Sequence, residues 1–140
     1  MKLFIAGKAV IRYNDKILVV RESSKYADGT QVGKYDVVGG RLTPGEPFAD
    51  SLLREIKEET GLTVTLGEPF FLNESFPVVR GEQWHIVRVF VECFAETDAI
   101  TLSGDHDDFL WIDPEDYLKY TVIDNLVPMF EKYLEQRKTF

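Results

Sequence analysis

Residues 39–62 read GGRLTPGEPFADSLLREIKEETGL, a glycine-rich loop that runs into a segment with helical periodicity. A helix over residues 47–60, turning about 100° per residue, places one set of apolar side chains at the i, i+3, i+4, i+7 spacing of a core-facing stripe. These side chains are Ala49, Leu52, Leu53 and Ile56. Gly61 then suits the left-handed conformation that commonly ends a helix. The stretch therefore predicts a loop and an amphipathic helix around which the rest of the chain is organised.

Three carboxylates of this helix, on Glu55, Glu58 and Glu59, share an i, i+3, i+4 relation on a different arc. Like charges at this spacing repel by roughly a few tenths of a kcal/mol per pair, so their presence indicates a bound cation. Mg²⁺ prefers oxygen ligands and is usually held by a few carboxylates together with substrate phosphates. Arg54 precedes Glu58 by four residues, so we expect its guanidinium to pair with that carboxylate or its neighbours and to orient them.

The stretch resembles the signature of the Nudix hydrolase family, G-x5-E-x7-R-E-U-x-E-E-x-G-U, in which U is an aliphatic residue. The chain matches every fixed position of that signature, which are Gly40, Glu46, Arg54, Glu55, Ile56, Glu58, Glu59, Gly61 and Leu62. A motif with this many fixed positions is far more specific than a lone glycine pattern. One departure lies upstream, where the family often has Trp-x-x-Pro-Gly-Gly and residues 35–40 read YDVVGG. This change should alter the strand that enters the loop without touching an expected metal ligand.

The resemblance implies an α/β (α+β) fold, the Nudix-type α/β/α sandwich with a mixed central sheet, formed by a single domain over residues 1–140. It also implies hydrolysis of a pyrophosphate bond with Mg²⁺ as cofactor, for which Mn²⁺ is expected to substitute. The implied metal ligands are Glu55, Glu58, Glu59 and the Gly40 carbonyl. Glu58 or Glu59, or an acid from another loop, would take the proton of the attacking water. Glu46 and Arg54 join the catalytic group because they would hold the loop and the helix in register.

The composition excludes several classes of protein. With 140 residues the chain is long enough for one core and too short for two. A formal charge of −8 disfavours binding of long nucleic acids but allows a small phosphorylated nucleotide to bind through metal ions. Cys93 is the single cysteine, so an intrachain disulfide is excluded and a reducing compartment is expected. No apolar run has the length of a signal sequence or a membrane span, which favours a cytoplasmic location. A homodimer is compatible with the resemblance.

The remaining segments alternate short strand patterns with turns. Residues 2–13 and 16–21 are rich in β-branched side chains and are separated by Asn14-Asp15, which predicts a hairpin. Further strands are predicted at residues 35–38, 63–66, 68–73, 84–95 and 109–112, with Gly67 dividing two of them. Asp113 and Pro114 have the pattern of a helix start. A final helix is predicted over most of residues 123–136, and Pro128 must lie in its first turn or kink it.

Residues outside the signature provide candidates for substrate binding. The polar stretch 22–34 has the length of a functional loop, and Lys25 within it could bind a phosphate, although a solvated lysine is the commoner case. Candidate rings for stacking on a nucleobase are Tyr26, Tyr35, Phe76 and Trp84. Aromatic residues of this kind are also common in protein cores.

The acidic run Asp105-His106-Asp107-Asp108 precedes Trp111, and the family often places an acid in a loop a few positions before a tryptophan. Its three aspartates compete for the role of the extra acid, with Asp107 included among the substrate-binding candidates, and an ordinary acidic turn fits equally well. His106 could act as a base because histidine titrates near neutral pH. His85 lies within a predicted strand and is expected to be packed or hydrogen bonded. Neither histidine has partners at zinc-ligand spacing.

The chain length favours a MutT-like hydrolase that converts a nucleoside triphosphate or modified nucleotide to its monophosphate and pyrophosphate. Pro77 follows Leu62 by 15 residues, a spacing that resembles ADP-ribose-hydrolysing members, so an ADP-ribose or sugar-nucleotide pyrophosphatase is the alternative. A non-catalytic nucleotide-binding module is a further alternative, although such proteins typically lose a metal carboxylate. Isomerisation of a diphosphate ester would need a positioned cysteine, and Cys93 lies in a strand that is predicted to be buried.

Overall fold

The computed structural model describes residues 1–23 and 32–137. Lys25 and Tyr26 lie outside the described residues. The elements follow the chain in the order β1 (Lys2–Tyr13), β2 (Lys16–Glu22), β3 (Tyr35–Asp36), β4 (Val38–Arg41), α1 (Phe48–Thr60), β5 (Val64–Ser75), β6 (Val78–Val79), β7 (Glu82–Ala95), β8 (His106–Ile112), two 3₁₀ helices (Pro114–Lys119 and Asp124–Leu126) and α2 (Val127–Arg137). None of the helices in the described ranges is long and apolar enough to span a membrane.

β1 is the central strand of a mixed sheet with the hydrogen-bonded order β3-β2-β1-β7-β5, in which β4, β6 and β8 pair with β1, β7 and β2. Asn14 and Asp15 both have positive φ, and β2 returns antiparallel to β1, which confirms the predicted hairpin. β7 lies parallel to β1, while β4 runs antiparallel to β1 along residues 38–41. The glycine-rich loop therefore leaves the sheet directly beside its central strand.

Both faces of the sheet are covered, because adjacent residues of β1 point to opposite faces. Ala9 and Ile11 belong to an apolar cluster completed by Leu52 of α1. Val10 belongs to a second cluster, completed by Phe130 of α2. The mixed sheet between two helical layers confirms the predicted α/β/α sandwich.

Several predicted strand boundaries are wrong. The strand predicted before the glycine-rich loop is two strands, β3 and β4. Gly67 does not divide two strands but lies at an irregularity within continuous β5, where Pro69 lacks an N–H for the ladder. β8 begins at His106, so Asp107 and Asp108 lie in a strand rather than in an acidic turn.

The C-terminal predictions agree with the structure in position but not fully in helix type. Asp113 is the predicted N-cap, and its Oδ1 accepts a hydrogen bond from the Glu115 N–H at 3.0 Å, although the segment that follows is a 3₁₀ helix. Pro128 is the second residue of α2, where its missing N–H interrupts no intrahelical hydrogen bond.

The buried face of α1 differs from the predicted apolar stripe. Ala49 and Leu53 are exposed, so that half of the prediction is wrong. Phe48 packs against Gly7 of β1, where its ring would lie 3.2 Å from an added Cβ. The buried residues of α1 are Ser51, Leu52, Ile56 and Thr60. Glu55 and Glu59 are partly buried beside this face, whereas Glu58 is exposed.

Candidate active site

Gly39 and Gly40 lie too close to neighbouring atoms to carry side chains. Gly39 has a φ of +153°, and a Cβ at this position would lie 2.0 Å from the Gly7 carbonyl oxygen. A Cβ on Gly40 would lie 3.0 Å from the Glu55 carboxylate. The Gly39 N–H donates a hydrogen bond to Glu59 Oε2 at 3.1 Å. The two glycines therefore bring the loop backbone against the carboxylates of α1.

Arg54 donates hydrogen bonds to three carboxylates, one from the loop and two from α1. Its Nε and Nη2 donate to the two oxygens of Glu46 at 3.1 and 3.0 Å, a bidentate pair. Its Nη1 donates to Glu58 at 3.2 Å and to Glu55 at 3.4 Å. The hydrogen bond from Arg54 lowers the pKa of Glu46. The predicted contact between Arg54 and Glu58 is present, and Glu46 is joined to it across the loop.

Glu59 is the most deeply buried of the three helical carboxylates that the sequence singled out. Burial raises its pKa to about 8, although the Lys8 cation and the Gly39 N–H oppose that rise. Burial also raises the pKa of Glu55, again against the charge of Arg54. A carboxylate that is buried in this way gains strongly from a nearby cation, because the cation replaces the lost hydration of the charged form.

A partly buried ion pair between Lys8 and Asp36 acts electrostatically on Glu59 and was not predicted from the sequence. The Lys8 Nζ donates to Asp36 Oδ2 at 3.0 Å, and the Lys8 side chain is only 12% exposed. The available signal was a lysine inside the otherwise apolar run of residues 3–11. Its position on β1 brings a positive charge close enough to lower the pKa of Glu59.

A cleft of about 740 Å³ opens beside these groups. Its lining residues include Gly39, Gly40, Glu55 and Glu59 from the signature, together with Phe4, Arg41 and Asp105. Asp105 reaches the cleft because the chain between β7 and β8 is fastened to the end of α1. The Ser103 N–H donates to the Glu59 carbonyl at 3.2 Å, and the Thr101 N–H donates to the Thr60 carbonyl at 2.9 Å.

The four residues of the acidic run have four different environments. Asp105 lines the cleft, whereas the Oδ1 of Asp107 accepts a hydrogen bond from Arg21 Nε at 2.7 Å. Asp108 accepts a hydrogen bond from the Tyr35 hydroxyl at 2.6 Å. Burial lowers the pKa of His106, which is not part of the cleft lining. Asp105 is therefore the member of this run that the structure brings beside the signature carboxylates.

The three predicted stacking rings within the described residues, those of Tyr35, Phe76 and Trp84, make contacts within the protein. Tyr35 directs its hydroxyl to Asp108, and Trp84 packs against Phe4, with ring centroids 4.7 Å apart. Tyr35, Trp84 and Asp107 are not among the residues that line the cleft. Phe76 stacks on His85 at 4.4 Å between ring centroids, and His85 Nε2 hydrogen bonds with Glu74 at 2.6 Å. The packed state predicted for His85 is confirmed.

The oxygen donors beside the Gly39-Gly40 loop suit a hard divalent cation such as Mg²⁺. Within residues 1–23 and 32–137, no three carboxylate, imidazole or thiol groups already form a metal site. Arg54 donates hydrogen bonds to both Glu58 and Glu55. Glu59 fits a ligand role, since its carboxylate is buried next to the loop and has a pKa of about 8 without a metal. A cation would stabilise its ionised form.

Comparison with known proteins identifies the family. The NUDIX domain model matches residues 4–133. The CTP pyrophosphohydrolase of Escherichia coli is 25% identical over 140 residues, covering 98% of this chain and 96% of the relative. Nucleoside triphosphatase NudI of the same species is 28% identical over 105 residues, covering 69% and 74%. The crystal structure of a MutT protein from Methanosarcina mazei is similar with a TM-score of 0.85 at 24% identity, covering 98% and 96%.

The family model spans the central sheet, the glycine-rich loop, α1 and most of α2. The solved MutT structure has the same fold over nearly the whole length of both chains. The chain belongs to the NUDIX domain family and is a Nudix hydrolase, an enzyme that hydrolyses pyrophosphate bonds.

Proposed function

We propose that the enzyme hydrolyses the pyrophosphate bond of a nucleoside triphosphate or a modified nucleotide in an Mg²⁺-dependent reaction. The observation that carries this proposal is the convergence of Glu55 and Glu59 on the Gly39-Gly40 loop inside an open cleft. The E. coli relatives named CTP pyrophosphohydrolase and nucleoside triphosphatase support this substrate class. Cleavage would release the nucleoside monophosphate and pyrophosphate.

In this proposal Glu55, Glu58, Glu59 and the Gly40 carbonyl hold Mg²⁺, and Mn²⁺ can replace it. The metal, when bound, neutralises phosphate oxygens and lowers the pKa of a coordinated water. Arg54 holds Glu58 and Glu55 close to the loop, and its bidentate pair with Glu46 keeps the loop and α1 in register. Arg54 and Glu46 thus act through the metal ligands rather than on the reacting phosphorus.

The water that attacks phosphorus must lose a proton, and three carboxylates compete for it. Glu58 and Glu59 are both candidates from the signature, and Asp105 is the acid from another loop that lines the cleft. Asp105 is exposed, so it can accept a proton and pass it to solvent. A carboxylate at this place is held by the hydrogen bonds between residues 101–103 and the end of α1.

Other reactions on this fold fit the structure less well. Cys93 is fully buried, and burial raises the pKa of its thiol to about 12, so it lacks the reactivity that an isomerase would need. A non-catalytic module would have no use for three signature carboxylates that are all retained. Hydrolysis of ADP-ribose or a sugar nucleotide is the alternative to test, since Pro77 is the sequence feature that suggested it.

The test is a phosphate-release screen with Mg²⁺ against nucleoside triphosphates including CTP, oxidised nucleotides, ADP-ribose and sugar nucleotides. Coupling to pyrophosphatase or phosphatase detects each product, and mass spectrometry in ¹⁸O-labelled water identifies the phosphorus that is attacked. A preference for a triphosphate with release of pyrophosphate supports the proposal. Preference for ADP-ribose, or silence across the panel with folded protein, contradicts it.

Single-domain organisation, a cytoplasmic location and a homodimer complete the proposal. Light scattering after size-exclusion chromatography tests the dimer, because the two states differ twofold in mass. A single cooperative transition in denaturant unfolding, followed by fluorescence and by circular dichroism, tests the single domain, because two independent domains would unfold separately.

A further inference from the structure

Phe4, Arg41 and Trp84 form a cluster of two rings and one cation at the edge of the cleft. The rings of Phe4 and Trp84 meet edge to face at 62°. The Arg41 guanidinium carbon lies 4.5 Å from the centroid of the Phe4 ring and 5.2 Å from that of the Trp84 ring. Both distances are within the range of favourable cation–π contacts. We call these three residues the arginine stack.

The arginine stack follows from strand register. β1 lies between β4 and β7, with Ala6 opposite Arg41 on one side and Lys2 opposite Trp84 on the other. Phe4 is two residues from each of these positions, so it is the diagonal neighbour of both Arg41 and Trp84 on one face of the sheet. Cross-strand geometry thus places an aromatic ring beside Arg41.

The indole ring of Trp84 is also held by a hydrogen bond from its N–H. Its Nε1–H donates to Glu82 Oε1 at 3.0 Å, and the same carboxylate oxygen lies 3.0 Å from the Lys2 Nζ. Lys2 is the residue opposite Trp84 in β1. These contacts hold the ring that Arg41 packs against.

Arg41 has the features of an anion-binding residue. It is exposed, it lines the cleft together with Gly39, Gly40 and Glu59, and it forms no ion pair with a carboxylate in residues 1–23 or 32–137. Stacking uses the face of a guanidinium and leaves its N–H donors, which lie in the plane, available for phosphate oxygens. An arginine without a carboxylate partner beside acidic side chains is available to a ligand rather than committed to the fold.

We propose that Arg41 binds phosphate oxygens of the substrate and that Phe4 and Trp84 position its guanidinium for this contact. The proposal rests on the proposed function, because it takes the ligand to be a diphosphate or triphosphate chain. Trp84 is then a positioning residue that acts through Arg41, in place of the nucleobase platform that its aromatic ring suggested in the sequence. Phe4 has the same role from β1.

Binding of inorganic pyrophosphate in the presence of Mg²⁺, measured by calorimetry, tests the anion site without any turnover. Arg41→Gln should weaken binding at least about tenfold, because a charged hydrogen-bond donor is lost. Lys16→Gln is the matched control, since it removes the same charge at the far end of β1, where Lys16 pairs with Tyr13. Equal affinity of wild type and Arg41→Gln, or no binding by wild type, overturns the proposal.

The positioning role is tested by comparing two substitutions at one site. Trp84→Leu removes the ring and should weaken pyrophosphate binding about threefold or more, whereas Trp84→Phe keeps an aromatic face and should stay close to wild type. In the double variant Arg41→Gln with Trp84→Leu, binding should be no weaker than in Arg41→Gln alone, because Trp84 acts through Arg41. Additive losses would overturn the positioning role. If Trp84→Leu is unfolded by circular dichroism, Phe4→Leu replaces it in the same cycle.

Turnover separates this proposal from the proposed function. With the best nucleotide, Arg41→Gln should lower kcat/KM at least about tenfold, and Trp84→Leu should act mainly through KM. Absence of turnover with every nucleotide would defeat the proposed function, while the pyrophosphate titrations would still decide the role of Arg41. Normal turnover with unchanged KM in Arg41→Gln would defeat the role of Arg41 alone.

Discussion

Glu58 and Glu59 are adjacent in the sequence, yet they have opposite environments. The Glu58 side chain is 59% exposed and accepts hydrogen bonds from Arg54. Glu59 is turned towards the sheet, where it accepts the Gly39 N–H and has a pKa of about 8. A helical step of about 100° separates the two side chains by enough to put one in solvent and the other at the edge of the core. Two residues of the same type and the same motif therefore lie in different dielectric environments within the proposed metal site.

The largest expected effect comes from the exposed member of the pair. Glu58→Gln should lower turnover at least about 10²-fold while leaving the fold intact, because it removes a ligand charge from a surface position. Steady-state kinetics with Mg²⁺ and a thermal melt measure the two quantities. Glu68→Gln, which neutralises an exposed glutamate on β5, is the control and should behave as wild type. Near-normal turnover of Glu58→Gln would rule out the metal site.

The buried carboxylate, that of Glu59, should make the stability of the protein depend on pH. In the metal-free protein the folded pKa of Glu59 is about 8, above its usual value of 4.5, so the folded state binds more protons than the unfolded state between these values. Stability is therefore greatest at the acidic end of this window and falls as pH rises through 8. The contribution of this group should decline by about 2 kcal/mol between pH 6 and pH 8. Denaturant unfolding with EDTA, compared between wild type and Glu59→Gln, isolates it.

Glu58→Gln serves as the reference for that pH experiment, because it should retain the pH dependence that Glu59→Gln loses. Binding of Mg²⁺ to wild type below pH 8 should also release a proton from Glu59. Calorimetry in buffers with different ionisation enthalpies counts that proton. If the free energy of unfolding changes with pH equally in Glu59→Gln and wild type, then Glu59 is ionised in the folded protein and the comparison with Glu58 is wrong.

A smaller effect is expected from Lys8, the cation that lowers the pKa of Glu59. Lys8→Met should destabilise the protein by about 1–3 kcal/mol, because it leaves the half-buried Asp36 carboxylate without its partner. It should also raise the pKa of Glu59 further, since the Lys8 charge lowers it. Denaturant unfolding at pH 6 and pH 8 measures both changes. The double variant Lys8→Met with Asp36→Asn should recover stability, and failure to recover would show that the unpaired Asp36 carboxylate is not the cause of the loss.

The sequence predicted the exposed half of this comparison better than the buried half. The signature located the loop, α1 and the contact between Arg54 and Glu58, because these depend on spacing within one segment. The burial of Glu59 arises where the helix and the Gly39 loop come together, a tertiary contact that helical periodicity does not contain. The pair of Lys8 with Asp36 joins residues 28 positions apart.

The acidic run and Trp84 show the same limit. Asp105, Asp107 and Asp108 are equivalent in sequence. In the fold Arg21 lies opposite Asp108, and its Nε donates to Asp107 at a register shift between β2 and β8. Asp105 lies before β8 and lines the cleft. Trp84 was predicted as a base platform, and strand register, which its local sequence does not reveal, places it beside Phe4 and Arg41. Local patterns predicted which residue types carry the chemistry, whereas strand pairing decided which of several candidates reaches the site.

The smallest effect that we expect is that of Arg54→Lys, which changes the surroundings of Glu58 and leaves those of Glu59 nearly untouched. Lysine keeps the charge but cannot form the bidentate pair with Glu46 while donating to Glu58. Turnover should therefore fall about tenfold, mainly because Mg²⁺ binds less tightly, so that a higher Mg²⁺ concentration is needed for half-maximal activity. Glu46→Gln should lower turnover by a similar factor. Because Glu46 and Arg54 act as one unit, the double variant should be no slower than either single one. The pH dependence of stability should match wild type, since the Gly39 N–H and the charge of Lys8 act on the pKa of Glu59 and do not change in this variant. A changed pH dependence in Arg54→Lys would show that the two carboxylates share one electrostatic environment after all.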